Sequence, residues 1–448
     1  MAAQTPHFLD DLRWRGLIHQ VTHEEALRAH LADPARSPRR GYVGFDPTSD
    51  SLTIGNLVPI ILLRRLQLAG HMPVVVAGGG TGLIGDPSGK SAERELQTEE
   101  RVRANVESQM RIFGRILDFS EGLSNRAVIL NNLDWLGKLG FLQVLRDVGK
   151  HFSVNMMIQK ESVRERLHGR DQGISYTEFS YMILQAYDFA HLYRNHGVTL
   201  QMGGSDQWGN IVAGIDLIRR LRAAEAGPAA DPQAAHEDVV FGLTAPLVTK
   251  ADGGKFGKTE SGAIWLTAER TSPYAFHQFW LNTADADVPR YLRIFTLLPH
   301  EQIEDLEARH AANPGAREAH RVLANEVTDL VHGRTEREAA EAAAKALFSG
   351  DLASLPERTL DEVLAAAPSS SHPRSALEGE GLSLVELLPQ TSIAQSKSQA
   401  RQYLSEGAIS INGRKAAPDA RLTTADLLHG RIIALRRGKK TWHVTRWE

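Results

Sequence analysis

The most restrictive feature of this chain is one short segment, YVGFDPTSDSLTIGN at 42–56, followed by an apolar run over residues 57–66. The segment predicts a strand, a tight turn and then a helix that begins at Gly55-Asn56. A helix N-terminus presents unpaired backbone N–H groups and a partial positive charge, so it readily binds phosphate. We therefore expect an α/β fold that binds a phosphate where this strand passes into a helix.

A second segment, KFGKT at 255–259, supplies flexible positive charge. Its two lysines, Lys255 and Lys258, lie among glycines at 253, 254 and 257, which allow the backbone unusual freedom. A fixed helix end on one side and mobile cations on the other would together hold a triphosphate.

The arrangement of strands and helices predicts the fold class. Between about residues 30 and 220, apolar strands alternate with amphipathic helices, which is typical of a parallel sheet with helices on both faces. Residues 265–350 are predicted to be wholly helical. The predicted strands are Gly41–Phe45, Pro73–Ala77, Ala127–Asn131 and Val198–Met202.

Two other glycine motifs are weak indicators. Residues 80–85 fit G-x-G-x-x-G, but they continue into Asp86-Pro87-Ser88-Gly89, which cannot open the helix that a dinucleotide site requires. A P-loop ending at Gly89-Lys90-Ser91 would need glycine at position 84, where isoleucine stands. Both interpretations are therefore disfavoured.

A polar stripe lies on a helix that is otherwise apolar. In residues 177–197, Tyr181, Gln185 and Asp188 follow one another at i, i+4 and i+7. Such a helix is predicted to be buried, so its polar stripe needs partners. From these residues alone, the partners are either a bound substrate or other protein groups and water.

Taken together, the two segments resemble the signatures of class I aminoacyl-tRNA synthetases, and the surrounding residues are similar to bacterial tyrosyl-tRNA synthetases over essentially the whole chain. The first signature of this family usually starts with histidine and often ends with it. Here Thr53 and Asn56 stand at those places. A hydroxyl thus replaces an imidazole, while the Asn56 amide can still donate a hydrogen bond.

The resemblance implies three folded parts. These are a Rossmann-like doubly wound parallel-sheet catalytic domain at 1–260, an all-helical anticodon-side domain at 261–350, and a small α+β RNA-binding domain at 382–448. Residues 351–381, with three prolines and a serine triplet, are predicted to form a linker. From residue 381 onward, 11 Lys and Arg stand against 5 Asp and Glu, although the whole chain has a net charge of −3. Such a basic end indicates nucleic-acid binding.

The resemblance also implies roles for individual residues in the catalytic domain. Tyr181, Gln185 and Asp86 would bind the α-ammonium group of tyrosine, and Tyr42 and Asp188 would bind its phenol. The complete implied tyrosine site is Tyr42, Asp86, Asn131, Tyr181, Gln185, Asp188 and Gln201. The implied ATP site is Asp46, Gly55, Asp206, Gln207 and Lys258. The implied catalytic residues are Thr48, Thr53, Asn56, Lys90, Arg94, Lys255 and Lys258.

The implied reaction is the activation of L-tyrosine by ATP, followed by transfer to tRNA(Tyr). ATP would enter as a substrate with Mg²⁺, and neither a protein-bound metal nor a tightly bound cofactor is expected. In the basic tail, tRNA contacts are expected from Lys397, Arg401, Arg414 and Lys415. The family is homodimeric, and the apolar helices around Phe141–Met157 could supply the interface.

Composition is consistent with this assignment. The chain has 448 residues, enough for about three domains. It contains no cysteine, which excludes disulfides, Cys-ligated metals and a thiol nucleophile. The N-terminal stretch has no apolar export signal, and no run of 18 apolar residues occurs. We therefore expect a cytoplasmic protein without membrane contact.

Two alternatives stay open from the sequence. The chain could be a non-catalytic RNA-binding or splicing protein on a synthetase fold, an idea that rests only on Thr53. It could also activate tryptophan, which the retention of Tyr42 and Asp188 disfavours because tryptophan has no phenol to bind.

Overall fold

The computed structural model describes most of the chain. The described residues are 7–86, 96–160, 163–164, 174–226, 239–259, 262–349, 351–365, 367–438 and 441–448. The predicted catalytic residues Lys90 and Arg94 lie outside them.

Within the described residues, six strands form the main sheet. They are β1 (Gln20–Val21), β2 (Arg40–Phe45), β3 (Met72–Ala77), β4 (Val128–Asn131), β5 (Val198–Gly204) and β6 (Phe241–Ala245). The spatial order is β1-β6-β5-β2-β3-β4, and every neighbouring pair is parallel except β1–β6. The four predicted strands and the predicted parallel sheet are confirmed. The order reverses direction at β2, which is where doubly wound folds bind nucleotides.

The helices around this sheet are α1 (Phe8–Trp14), α2 (Glu24–Ala32), α3 (Leu57–Leu68), α4 (Glu99–Ile116), α5 (Leu133–Leu136), α6 (Phe141–Gln143), α7 (Val154–Ile158), α8 (Tyr176–His196) and α9 (Trp208–Ala226). Helix α3 begins after a 3₁₀ turn at Ile54–Asn56, as predicted. Helix α8 starts at Ser175, whose hydroxyl accepts the Glu178 N–H, and ends at Gly197 with φ of +62°. Both helices bury most of their apolar side chains against the sheet.

A hairpin of β7 (Lys258–Thr259) and β8 (Gly262–Ala263) precedes the helical region. The helices that follow are α10 (Pro273–Leu281), α11 (Val288–Phe295), α12 (His300–Ala312), α13 (Glu318–His332) and α14 (Arg334–Ser349). The predicted helical character of this region is confirmed.

The C-terminal part combines short helices with a small sheet. Its elements are α15 (Glu357–Leu364), β9 (Ser369–His372), β10 (Leu382–Ser383), α16 (Leu384–Leu387), α17 (Lys397–Ser405), β11 (Ile409–Ile411), β12 (Arg414–Lys415), β13 (Arg421–Leu422), β14 (Ile432–Arg437) and β15 (Thr441–Trp447). Five of these strands form a sheet in the order β12-β11-β14-β15-β9, and β10 pairs with β13. This agrees with the predicted α+β architecture.

The prediction of a linker at residues 351–381 is wrong. Helix α15 lies within this segment and buries Leu360 and Leu364, and β9 pairs in parallel with β15 of the C-terminal sheet. Leu352 and Leu355 join the same apolar cluster as Ile432 and Val444. The proline and serine content suggested a flexible segment, but the regularly spaced leucines provide enough apolar surface to pack.

The chain divides into two compact units. One contains Met1–Thr271 with Leu281–Val331, and the other contains Ser272–Trp280 with His332–Glu448. Helix α14 therefore belongs to the unit that holds the C-terminal sheet. Among the described residues, no helix is both long and apolar enough to cross a membrane.

Candidate active site

A cleft of about 680 Å³ opens where β2 and β5 end at the carboxyl edge of the sheet. Because parallel strands end at the same edge, residues that are far apart in sequence meet here. The cleft gathers fourteen of the residues implied by the family resemblance. They are Tyr42, Asp46, Thr48, Thr53, Gly55, Asn56, Asp86, Tyr181, Gln185, Asp188, Gln201, Asp206, Gln207 and Lys255.

One end of the cleft holds a buried phenol and a buried carboxyl group. Tyr42 on β2 is 2% exposed, and its hydroxyl has no hydrogen-bond partner among the described residues. Asp188 on α8 is 4% exposed and accepts hydrogen bonds from Trp135 Nε1 at 2.7 Å and Asn132 Nδ2 at 2.9 Å. Burial raises the pKa of Asp188 to about 7, against the lowering effect of these two donors. Burial also raises the pKa of Tyr42, so its hydroxyl keeps its proton.

Of the two asparagines at the end of β4, the structure places Asn132 in the lining of the cleft and not the implied Asn131. Asn131 does not line the cleft, and its Oδ1 instead accepts the N–H of Leu133 at 3.0 Å. Asn132 does line the cleft, because successive side chains at the end of β4 point in different directions. Its amide oxygen accepts the Gly80 N–H at 2.7 Å, while its Nδ2 donates to Asp188.

A second polar group of side chains lies between the two ends of the cleft. Tyr181 donates to Asp46 at 2.8 Å, and Gln207 donates to Asp86 at 2.7 Å. Gln185 reaches Gln207 at 3.3 Å. The predicted ammonium-binding residues are therefore brought together, but Gln207 connects two of them, a contact that the sequence did not predict.

Three buried polar atoms around the cleft have no hydrogen-bond partner among the described residues. They are Tyr42 Oη, Gln185 Oε1 and Gln201 Oε1. A buried polar atom that stays unpaired costs about 1–3 kcal/mol, and a ligand with polar groups bound in the cleft would give these three atoms partners.

The phosphate end is built around the start of α3. The backbone N–H and hydroxyl of Thr53 both donate to Asn56 Oδ1, each at 3.0 Å. Because Asn56 Oδ1 already accepts two hydrogen bonds, the Nδ2 group of Asn56 is the part of the side chain that could donate to an anion. Thr53 is thus the N-cap residue of the 3₁₀ turn that precedes α3, and its bonds to Asn56 fix the start of this turn.

The two lysines of the KFGKT segment differ in position. Lys255 lines the cleft, whereas Lys258 is exposed on β7 and is not part of the lining. Gly257 has φ of +74° and packs so tightly that an added Cβ would lie 2.3 Å from Ile54 Cγ2. The lysine segment is therefore packed directly on the TIGN turn.

The predicted tRNA-binding residues lie on the C-terminal unit. Arg401 is exposed on α17, and Arg414 and Lys415 are exposed on β12. Lys397 is paired with Glu386. Arg437, which no motif indicated, lies over the Tyr403 ring at 4.9 Å.

The sequence matches two protein families. Residues 35–349 match the family described as tRNA synthetases class I (W and Y). Residues 365–445 match the tyrosine–tRNA ligase SYY-like C-terminal domain. The first of these matches alone spans more than half of the chain.

Curated relatives match along nearly the whole length. The chain is 50% identical over 439 residues to the tyrosine–tRNA ligase of Roseiflexus castenholzii, covering 98% of this chain and 99% of the relative. It is 48% identical over 443 residues to the tyrosine–tRNA ligase of Escherichia coli, covering 99% of each.

Solved structures share the fold. A C-terminally truncated mitochondrial tyrosyl-tRNA synthetase from Aspergillus nidulans superposes with a TM-score of 0.67 at 30% identity, covering 77% of this chain and 95% of that chain. A tyrosyl-tRNA synthetase complexed with L-tyrosine from Archaeoglobus fulgidus gives a TM-score of 0.52 at 17% identity, covering 74% of this chain and 99% of that chain. At that identity, the similarity shows the fold alone.

Proposed function

The chain belongs to the class I family of tyrosine–tRNA ligases, and from this premise we propose that the cleft at the sheet edge is where it activates tyrosine. The reaction joins L-tyrosine to ATP as tyrosyl-adenylate with release of pyrophosphate. The tyrosyl group is then transferred to the 3′ end of tRNA(Tyr).

The observation that carries this assignment is the pair formed by Tyr42 and Asp188. The unpartnered hydroxyl of Tyr42 and the carboxyl group of Asp188 both line the cleft, where a substrate phenol would give Tyr42 a partner and Asp188 a further donor. Phenylalanine and tryptophan would leave the Tyr42 hydroxyl unpaired and Asp188 with its two protein donors alone. Tyrosyl-tRNA synthetases are themselves the reference case for such discrimination against phenylalanine.

The middle of the cleft suits the amino-acid end of the substrate. Asp86 supplies negative charge for the α-ammonium group, and the buried oxygens of Gln185 and Gln201 can accept its N–H groups. Tyr181 keeps Asp46 in place through its 2.8 Å hydrogen bond.

ATP would lie between the start of α3 and the lysine segment. Thr48, Thr53 and Asn56 would contact the phosphates from the fixed side, and Lys255 from the other side. Asp206, also in the cleft, would hold the ribose. Lys258, Lys90 and Arg94 remain predicted partners of the pyrophosphate. Mg²⁺ would enter with the ATP phosphates, because hydroxyl, amide and ammonium groups line this end of the cleft.

The chemical step requires no general base, because the carboxylate of tyrosine is already ionised. It attacks the α-phosphorus in line and expels pyrophosphate, so catalysis consists of positioning and of stabilising the charge that spreads over the phosphate oxygens. Each well-placed donor supplies about 2–4 kcal/mol to such a step. We expect Lys258→Ala to slow adenylate formation far more than it weakens tyrosine binding.

We further propose that the C-terminal unit binds tRNA through its exposed cations on α17 and β12. Phosphate contacts of this kind weaken steeply as the salt concentration rises. Since tRNA and ATP are its substrates, we infer that the protein acts in the cytoplasm.

We also propose a homodimer. Within residues 141–158, large apolar side chains are exposed, including Phe141 at 67%, Leu142 at 79% and Met156 at 54%. Exposed apolar surface of this extent is typical of a protein interface. Sedimentation of the Phe141→Asp, Leu142→Asp double variant tests this, and a wild-type sedimentation coefficient that already corresponds to a monomer would contradict it.

The decisive experiment is amino-acid-dependent ATP–pyrophosphate exchange without tRNA, with tyrosine, phenylalanine and tryptophan in parallel. We expect exchange with tyrosine only, and a large loss in Lys255→Ala. Exchange with tryptophan would contradict the assignment of the Tyr42–Asp188 pair. Absence of exchange with all three amino acids, from folded protein, would favour a non-catalytic RNA-binding role.

A further inference from the structure

The segment that carries Lys255 is an ordered hairpin in the described structure. Thr249 and Lys255 form an antiparallel bridge, and the Lys250 N–H donates to the Gly254 carbonyl at 2.9 Å across the turn. Gly253 takes φ of +80° at the tip. The position of the Lys255 backbone is therefore tied to that of Thr249 on the opposite side of the hairpin.

Helix α11 and the residue before it hold the Thr249 side of this hairpin. Asp287 Oδ1 accepts the Ala251 N–H at 2.9 Å, and Arg290, 3.3 Å from Asp287, donates to the Thr249 carbonyl. Tyr291 donates to the same carbonyl at 3.3 Å. Asp287 makes no capping bond to its own helix, so its buried carboxylate serves the hairpin instead.

The same helix also holds the Lys255 side of the hairpin. Phe256, next to Lys255, stacks on Phe295 with ring centres 5.1 Å apart and an interplanar angle of 19°. Its ring meets the Tyr291 ring edge-on at 5.2 Å. Phe295 and Tyr291 are themselves fully buried, so they form a rigid base for Phe256.

On the opposite side, the hairpin leads into the TIGN turn. The Ile264 N–H donates to the Gly257 carbonyl at 3.0 Å, and the Ile54 N–H donates to the Ile264 carbonyl at 2.9 Å. Gly257 packs directly on Ile54. The lysine segment is thus held between the phosphate-binding turn and helix α11.

We infer that helix α11 positions Lys255 for adenylate formation, with Asp287 and Arg290 as its positioning residues. Neither residue lines the cleft, so both act through the hairpin. A lysine side chain is long and flexible, and its ammonium group can favour the transition state only if its backbone is fixed at the right place. This inference rests on the proposed role of Lys255 at the phosphate end of the cleft.

The test compares variants of Asp287 and Arg290 in tyrosine-dependent ATP–pyrophosphate exchange and in the single-turnover rate of adenylate formation. We expect Asp287→Ala and Arg290→Gln to slow adenylate formation by about 10- to 100-fold, the range for a misplaced catalytic group. The dissociation constant for tyrosine should stay unchanged, because the tyrosine end of the cleft does not touch the hairpin. Asp287→Asn keeps an oxygen that accepts the Ala251 N–H, so it should restore most of the rate.

Asp285→Ala is the matched control. Asp285 lies two residues before Asp287 but its carboxylate faces His320 at 3.2 Å, not the hairpin. It should lose the same charge without slowing adenylate formation. Thermal unfolding of every variant checks that the fold is intact.

Three outcomes would overturn the inference. Rates for Asp287→Ala and Arg290→Gln equal to that of Asp285→Ala, while Lys255→Ala is impaired, would reject the positioning role and leave the proposed cleft intact. A parallel loss of tyrosine binding would show a general structural role instead. Wild-type exchange in Lys255→Ala would remove the premise, the proposed role of Lys255, whereas absence of exchange in the wild-type protein would mark a failure of the proposed function.

Discussion

At the scale of single residues, the cleft holds groups that would be costly in an ordinary protein interior. The hydroxyl of Tyr42 has no partner among the described residues, and burial raises the pKa of the Asp188 carboxyl group to about 7. Two donors from the segment after β4, Asn132 and Trp135 of α5, occupy the carboxyl oxygens and fix their direction. In the proposed site, the phenol of the substrate would complete the hydrogen bonding of the Tyr42 hydroxyl.

The raised pKa of Asp188 predicts a pH dependence. A phenol donates best to an ionised carboxylate, so kcat/KM for tyrosine should fall as the pH drops through about 7. The substrate phenol titrates near pH ~10, so this acid limb belongs to the enzyme. Asp188→Asn should have a lower kcat/KM and no acid limb. An acid limb of the same midpoint in that variant would assign it to another group.

The same pKa has a consequence for stability with a definite sign. Folding raises the pKa of Asp188 from 3.8 to about 7, so between these pH values the folded protein holds a proton that the unfolded chain releases. The contribution of Asp188 to stability is therefore largest at low pH and is lost as the pH rises through about 7. Asp188→Asn should accordingly gain stability relative to wild type as the pH is raised over this range.

Replacement of Tyr42 by phenylalanine should separate stability from activity. The hydroxyl has no partner in the described structure, so its removal should not lower the free energy of unfolding. Loss of its bond to the substrate should weaken the transition state by about 1–3 kcal/mol, measured as kcat/KM for tyrosine. Tyr181→Phe is the matched control, because its hydroxyl already donates to Asp46 and its loss should destabilise the fold by about 1 kcal/mol. Equal destabilisation by the two substitutions would contradict this prediction.

The sequence could identify many of these residues but not the contacts between them. Tyr42 and Asp188 follow from the family pattern, whereas Trp135 and Asn132 are ordinary residues at a strand–helix junction. Their contact with Asp188 depends on how β4 and α8 pack, and no local pattern encodes that packing. The two asparagines show the same limit. The resemblance implied Asn131, but Asn132 lines the cleft, because a shift of one residue at a strand end turns the side chain to the other face.

At the scale of elements, the strands and helices that carry the site follow from local patterns. Strands β2 to β5 are apolar runs bounded by turns, and α3 begins at a capped turn, so both were predictable. Strands β1 and β6 were not predicted. The two residues of β1 have no strand pattern of their own and form a strand only by pairing with β6.

Substitution of Gly257 tests how strongly the KFGKT segment depends on its contact with Ile54. In Gly257→Ala, the added Cβ would lie 2.3 Å from Ile54 Cγ2, and the residue would also be strained at φ of +74°. We expect a clear loss of adenylate formation and of stability. Gly253→Ala is the control, because it has a similar φ of +80° but meets nothing within 4 Å. It should cost only the conformational strain of about 1–2 kcal/mol. Equal effects of the two substitutions would contradict a role for the Ile54 contact.

At the scale of the whole molecule, the main difference from the sequence-based organisation is the segment 351–381. Its prolines and serines suggested a linker, yet four of its leucines, Leu352, Leu355, Leu360 and Leu364, pack in one apolar cluster with strands β14 and β15. The positive charge of the tail indicated nucleic-acid binding, whereas the proline and serine content of residues 351–381 wrongly indicated an unpacked linker. Leucine spacing over this segment was the signal that could have corrected the boundary.

The position of this boundary predicts the behaviour of two truncated chains. A chain ending at residue 381 retains the four leucines but loses β14 and β15, which cover them. Each exposed leucine forfeits about 1.5–3 kcal/mol of burial, so this chain should aggregate or lose its cooperative unfolding transition. A chain ending at residue 349 lacks these leucines, and the buried side chains that α14 contributes to the cluster are the small ones of Ala343 and Ala346, so this chain should aggregate less. Because the whole cleft lies before residue 349, the chain ending at 349 should also keep tyrosine-dependent exchange while losing aminoacylation of tRNA.

If the chain ending at 381 were as stable as the one ending at 349, residues 351–381 would behave as an independent linker in solution. The packing described for them would then be wrong.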